Sequence, residues 1–519
     1  MKRILTAFCA CLLAAAALNA QNPYLPLWEH IPDGEPYVFE DPDNPGKERV
    51  YIYGSHDTRR SEYCGYEQVV WSAPVEDLTA WRFDGVIFES RYGKDGSLLN
   101  EGGVADVLFA PDVTVTVENG KKVYYLCPNV QNGGRQSLIA KSSRPDGPFE
   151  VCNWNPDGRS TYGVFGFDPA VFVDDDGRVY GYWGFCHSNG AELDPATMCT
   201  VKPGTEIVRE MIPGYEQDDT FRFFEASSMR KIGGKYVFIY SRYTRPGEFG
   251  LNMSNYTLAY AYSDHPLGPF TYGGTLIDGR GRSTDAGGNP VVTANVGGNT
   301  HGSLCKIGSR WWVFYHRQSG TSEYTRQAMV APVEVKVEDG RVEISEGEYN
   351  SEGFRTRGLE PLRRQPAGLA CHYTGPSEIR ASYPNYYFSG SYVQATYLED
   401  NARHIAPVVN NTAGSTVGYK YLNFDSMKGC RKARLTLELL PLGVEGEITV
   451  LLDGPSEAAG GRVIGKGKLT GTEPQQDCEL SIPVALRKAG GKHALYLQFE
   501  SPQKGKSLCE LYSFVFRLR

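Results

Sequence analysis

Helical periodicity is nearly missing from this 519-residue chain. Almost no stretch spaces apolar residues three and four apart for long enough to make an amphipathic helix. Positive charge is also scarce. With 53 Lys and Arg against 61 Asp and Glu, the net charge is −8, and without clustered cations a nucleic acid is excluded as a ligand. Of the 12 cysteines, Cys9 and Cys11 lie in the N-terminal leader. The rest form no CxxC and no Cys/His spacing suited to zinc, which argues against a zinc site. They are either small core residues or bridged pairs whose partners the sequence does not give. Beyond the leader no apolar run approaches the ~20 residues that span a bilayer, so no membrane span is expected in the mature chain.

Residues 1–20 read Lys2, Arg3, an apolar run from Ile4 to Leu18, then Asn19 and Ala20. That is the layout of a signal peptide, cleaved before Gln21. The expected home is the periplasm or the cell exterior. What the remainder has in quantity is 59 Gly, 31 Pro, 33 Tyr and 23 Phe, the turn and strand formers of an all-β protein. The length calls for two or three domains, each with its own core.

A weak five-fold repeat runs through the first two thirds. Each copy joins an acidic or His residue, a short apolar strand, a polar turn and a strand rich in Tyr, Trp and Val. The copies begin at Asp33, Asp112, Asp168, Glu225 and His301, between about 55 and 80 residues apart, the length of a four-stranded propeller blade with its loops. Tight turns such as Asn119-Gly120 mark each copy as a β-hairpin, and the longer first copy carries an inserted turn, 41–46. In a five-bladed β-propeller the innermost strands surround one axis, so the five anchors should face one another. An acid that merely caps a turn is the simpler account of any one of them; five in phase favour a site.

Glycosidic cleavage needs one protonated carboxyl for the departing oxygen and one carboxylate to activate water or attack the sugar. The segments PDGEPYVFED, VYIYGSHD, APDVTV, GFDPAVFVDDDGRVYGYWG, FFEASSMRK and NTHGSLCKIGSRWWVFYHR, in this order, resemble glycoside hydrolase family 43, from about Pro23 to Val335. The resemblance implies an inverting glycosidase with Asp33 as general base, Asp168 as the residue that tunes and orients the acid, and Glu225 as general acid. Where the family usually has Asp-Pro, this chain reads Asp33-Gly34-Glu35-Pro36, so Glu35, on the same strand face as Asp33, competes for the base role. Asp112 is left outside the catalytic set, as a residue bonding backbone amides. His301 resembles the axial His of the family, near the substrate or a water-clad calcium; a structural calcium is the only metal implied, and no cofactor is required. Arg326 resembles the late Arg that reaches the sugar. Among aromatics near the inner strands, Trp28 and Trp71 are taken as sugar contacts; Phe109, Tyr125 and Trp183 are also nearby.

The domains expected are the propeller over 21–345, a polar connector packed on it over 346–376, and a β-sandwich of jelly-roll type over 377–519. The last resembles family 6 carbohydrate-binding modules, with Tyr419 and Tyr421 as possible binders or core. The polar connector predicts that 21–376 is active alone. A polysaccharide or oligosaccharide of plant type is the expected substrate, cut to release α-L-arabinofuranosyl or β-D-xylosyl units. The rivals are a retaining β-fructosidase, disfavoured because Phe224-Glu225-Ala226 replaces that family's Glu-Cys-Pro, and a non-catalytic sugar-binding propeller, which needs no three acids in phase. Oligomeric state is not legible.

Overall fold

The computed structural model describes residues 21–99, 107–131, 134–284, 290–291, 298–487 and 490–518; the segment 1–20, expected to be a signal peptide, lies outside them. Among the described residues there is no α-helix, only short 3-10 turns, and no helix long and apolar enough to cross a membrane. Each of the five repeats forms the first two strands of one blade. The inner strands are Glu35–Glu40, Leu108–Glu118, Ala170–Val173, Phe223–Ile232 and Leu304–Ile307. The first four blades have four antiparallel strands each, and the fifth has three. The turn at Asn119-Gly120 has φ of 50° and 77°, a left-handed pair that lets two right-twisted strands meet without splaying.

The fifth blade closes the ring with help from residues 22–24. Tyr24 N–H donates to the Ala328 carbonyl (3.3 Å), and the Asn22 amide exchanges hydrogen bonds with the Val330 backbone (2.6 and 3.0 Å). The strand Arg326–Val333 thus gains an outer neighbour instead of an open edge. Five apolar clusters lie one between each pair of adjacent blades, for example Tyr51, Ile87, Val113 and Leu126 between the first and second. Each such side chain contributes about 1.5–3 kcal/mol of burial, which is why strands hidden on both faces read as apolar runs.

The C-terminal domain is a near-closed antiparallel sheet curled around Leu435, Leu437, Phe499 and Phe514. It takes in Gln365–Pro366 and His372–Thr374, so the sheet begins inside the stretch expected to be a connector. Leu27 joins its core. The Arg317 side chain, fully buried in blade five, donates to the carbonyls of Gly368 and Ala370 (2.5 and 2.7 Å). The stretch 346–376 thus bonds to the propeller on one side and pairs with the sandwich on the other. All ten cysteines after residue 20 are free thiols.

Candidate active site

Asp33, Asp168, Glu225, His301 and Arg326 converge on one cavity of about 450 Å3 at the propeller axis. Two of the acids sit on left-handed backbone, Asp33 at φ 59° and Asp168 at φ 49°, and Ala226, which follows Glu225, is at φ 68°. Such conformations cost about 1–3 kcal/mol each and persist where surrounding contacts enforce them. Gly302 is required beside His301, because a Cβ there would meet the Phe314 carbonyl oxygen at 1.9 Å. That close approach, and the parallel bridge between Gly34 and Gly302, brings the inner strands of blades five and one together.

Asp33 is buried and heavily held. The Arg326 guanidinium donates to both its oxygens (3.1 and 3.2 Å), and Ser55 Oγ donates to Oδ2 (2.5 Å). Burial, the largest single influence, would raise this carboxyl, but the Arg326 charge together with His316, His301 and the Ser55 hydrogen bond outweighs it and holds Asp33 below the ordinary carboxylate range. His316 Nδ1 accepts the Asp33 backbone N–H (3.2 Å), while Nε2 faces the Asn299 carbonyl (2.8 Å). This imidazole is neutral, pushed down to about 3 by burial. Arg326 also grips Asp57 through Nε and Nη2, both at 2.9 Å, and its remaining N–H groups reach Asn299 Oδ1 (3.1 Å) and Cys64 Sγ (3.3 Å). All five donors are engaged by protein, so Arg326 holds the base instead of reaching for sugar.

Glu225 is in the opposite electrostatic state. Its carboxyl accepts a long hydrogen bond from Asn255 Nδ2 (3.4 Å), and burial followed by the negative charge of Asp168 raises it well above the ordinary range. Asp168 accepts from Asn129 Nδ2 (2.7 Å) and from the Ala226 N–H (3.1 Å), which fixes it beside Glu225. His301 stands between Asp168 Oδ2 (3.5 Å) and Glu35 Oε1 (3.7 Å). Burial opposes its charge, but these carboxylates raise it well above the ordinary histidine value. Calcium needs six to eight oxygen ligands. An imidazolium flanked by two carboxylates supplies no such set, and among the described residues no three His, Cys, Asp or Glu side chains converge as a metal site. The residues do not fit a directly ligated ion.

Glu35 is fully buried, does not line the cavity, and accepts from Arg230 Nη2 (2.7 Å) and Ser228 Oγ (3.2 Å). It is not placed to activate water. Asp112 accepts from the backbone N–H of Val113 and Val171 (2.8 and 2.7 Å) and from Tyr37 Oη (2.6 Å), the backbone-bonding role expected of it; burial first, then the charge of Glu35, pushes it up to about 7. Trp28 and Trp71 are elsewhere, in a separate cleft of about 940 Å3 between blade one and the sandwich, with Trp71 Nε1 donating to Glu29 (3.0 Å). Phe109 lines the catalytic cavity, whereas Tyr125 and Trp183 pack between blades. Sequence reasoning missed Asp57, Asn129, Asn299 and His316. Asp57 stands in the quoted VYIYGSHD segment and His316 in WWVFYHR, so the signal was position within a motif already noticed.

The sequence matches the family model for glycosyl hydrolases family 43 over residues 44–341. A xylosidase/arabinosidase of Thermoclostridium stercorarium is 31% identical over 511 residues, 95% of this chain and 98% of that one. An arabinoxylan arabinofuranohydrolase of Paenibacillus polymyxa is 26% identical over 93% of this chain and 73% of that one. Among solved structures, a family 43 arabinoxylan arabinofuranohydrolase from Bacillus subtilis in complex with cellotetraose aligns at TM-score 0.45 and 21% identity, over 96% of this chain and 98% of that one. A match across more than half the chain, with a relative aligned almost end to end, makes this protein a member of glycosyl hydrolase family 43.

Proposed function

We propose that this glycoside hydrolase removes α-L-arabinofuranosyl or β-D-xylosyl units from plant-type polysaccharides or oligosaccharides with inversion, using Asp33 as base and Glu225 as acid. One arrangement carries the assignment: on a single cavity, the Arg326 guanidinium is bonded to the Asp33 carboxyl and favours its ionised form, while burial and the neighbouring Asp168 raise the Glu225 carboxyl and favour its protonated form. Asp33 takes a proton from water as it attacks the anomeric carbon. Glu225 gives its proton to the departing oxygen. Asp168, fixed by Asn129 and the Ala226 N–H, supplies the charge that keeps Glu225 protonated until that oxygen develops negative charge. His301 tethers Asp168 electrostatically to Glu35 beneath the cavity. The printed names of the relatives, xylosidase/arabinosidase and arabinoxylan arabinofuranohydrolase, support the choice of sugars.

The chemistry requires only carboxylates and water, so no cofactor enters the proposal. Export through the segment 1–20 rests on its charged start and apolar run. The likeness of the sandwich to family 6 carbohydrate-binding modules finds no support at the tyrosines named for it: Tyr419 is fully buried, and Tyr421 donates to Glu348 (2.8 Å). Proton NMR of the first sugar released from nitrophenyl arabinofuranoside and xyloside tests the mechanism. The expected product is the anomer opposite to the substrate; retention would make Asp33 a nucleophile and overturn the inverting assignment.

A further inference from the structure

The C-terminal domain does more than brace the propeller. A hairpin, Arg380–Ser382 with Asn385–Tyr387, leaves the main sandwich sheet and forms a two-stranded ribbon of its own. It docks on the blade-five loop 319–325. Tyr386 N–H donates to the Thr321 carbonyl (2.9 Å), Glu323 N–H to the Pro384 carbonyl (3.1 Å), and Gly320 N–H to the Val393 carbonyl just beyond (2.7 Å). Ser322 and Asn385 form a further antiparallel bridge. Backbone bonds of this kind fix the ribbon to the catalytic domain as firmly as one strand to another.

We propose that this ribbon completes the active site: Tyr383 is the platform for the sugar on the leaving-group side of the scissile bond, and Tyr386, through Glu323, positions the machinery around the base. The inference rests on the hydrolase reading above. Tyr383, at the tip of the ribbon, lines the catalytic cavity while remaining 70% exposed. Asp33 and Asp168 are only 5% exposed. The sugar whose bond breaks must lie against those carboxylates on the floor, so the next sugar in the chain comes to the mouth. An aromatic ring left in water there gains little for folding but offers a face to the C–H groups of a sugar.

The second half of the proposal follows a chain of hydrogen bonds. Tyr386 Oη donates to Glu323 Oε1 (2.6 Å), and Tyr63 donates its hydroxyl to the other oxygen, Oε2. Asn299 Nδ2 donates to Tyr63 Oη (2.9 Å), and Asn299 Oδ1 accepts from Arg326 Nη1 (3.1 Å), which also donates to Asp33. Every donor meets an acceptor along this path, and the Tyr63 ring also lies 4.8 Å from the Arg326 guanidinium carbon. The carboxylate of Glu323, 9% exposed, is the member that orders both tyrosine hydroxyls. Tyr386 and Glu323 touch no substrate; they are positioning residues.

The test uses full-length protein and an arabinoxylo-oligosaccharide, with the released monosaccharide as inhibitor. Wild-type hydrolysis must be seen first; its absence would count against the assigned sugars and not against the ribbon. Tyr383→Ala should raise KM for the oligosaccharide about tenfold, the value of one aromatic contact, while the inhibition constant of the monosaccharide, which occupies only the floor, stays within about twofold. Tyr383→Phe keeps the ring and should restore KM. Unchanged KM in Tyr383→Ala, or an equal change in both constants, overturns the platform. Tyr386→Phe removes one hydroxyl and should lower kcat about fivefold at constant KM, with the acidic limb of the pH profile moving up as Arg326 loosens its hold on Asp33. If kcat and that limb are unmoved in both Tyr386→Phe and Glu323→Gln, the positioning role is overturned.

Discussion

Replacing Arg326 by Met should uncover how much of this site is held together by one cation. Arg326 is 4% exposed and lies between Asp33 and Asp57, which are 5% and 1% exposed. Removing one partner of a buried pair costs about 3–5 kcal/mol, because the other charge is stranded; here two nearly buried carboxylates are stranded. At about 2 °C per kcal/mol for a chain of this size, the melting point should fall by about 6–10 °C near pH 7. The pH dependence follows from the sign of each shift. In the wild type Asp33 is held low, so its contribution to stability is present above its unfolded pKa and is lost as pH falls through the folded one. Asp57 is raised even with Arg326 present, by burial and then by the charge of Asp33. Without the cation both carboxyls are raised, their ionised forms oppose folding, and protonation relieves them. The gap in melting point between variant and wild type should therefore narrow as pH falls to about 4.5. Activity should fall by about 100-fold or more, since a misplaced, protonated Asp33 cannot accept a proton from water. Adding Asp57→Asn should recover part of the stability and none of the activity. A variant as stable as wild type at neutral pH, or a gap that does not close in acid, would refute the account of Arg326.

Three further outcomes bear on the acids. Glu225→Ala should lose about 100- to 10,000-fold on natural linkages but far less on aryl glycosides with acidic phenols, whose departure needs little protonation; equal loss on both would take the acid role from Glu225. Asp33→Ala should lose both substrate types alike in the same kinetic assay, and retention of either would move the base elsewhere. Asp168→Asn should shift the alkaline limb of the pH profile to lower pH, because the anion that raises Glu225 is gone; the fold should tolerate it, since Asn129 Oδ1, which has no partner, can turn to meet the new amide. An unmoved limb would show that burial alone sets Glu225.

What the sequence made legible was whatever repeats. Asp33, Asp168, Glu225 and His301 stood out because each opens a copy of the same hairpin, and a propeller maps equal positions onto one axis. What it hid were lateral partners. Asp57 and Arg326 are 269 residues apart, and only the meeting of blades one and five joins them. The placing of Glu35 outside the cavity has a local cause. Residues two apart share a face only if the strand is regular, but Asp33 is left-handed at φ 59°, and that turn sends Glu35 beneath the cavity to Arg230. Trp71 misled because it lies on the third strand of its blade, Glu67–Pro74, away from the axis. The connector was drawn by polarity, yet its short strands pair with the sandwich through backbone bonds that polarity does not report.

The division of labour between two chemically similar carboxyls then follows from their order around the ring. Asp33 opens blade one, whose neighbour is blade five, and blade five brings Arg326 and a neutral His316 against it. Glu225 lies near the start of the inner strand of blade four, whose neighbour is blade three, and blade three brings the carboxylate of Asp168. The cation favours the ionised form of the first and the anion favours the protonated form of the second. His301, also from blade five and set between Asp168 and Glu35, lowers Glu225, but less than burial and Asp168 raise it. On the proposed reading, base and acid are set by burial and by which blade stands beside each, more than by the difference between an Asp and a Glu.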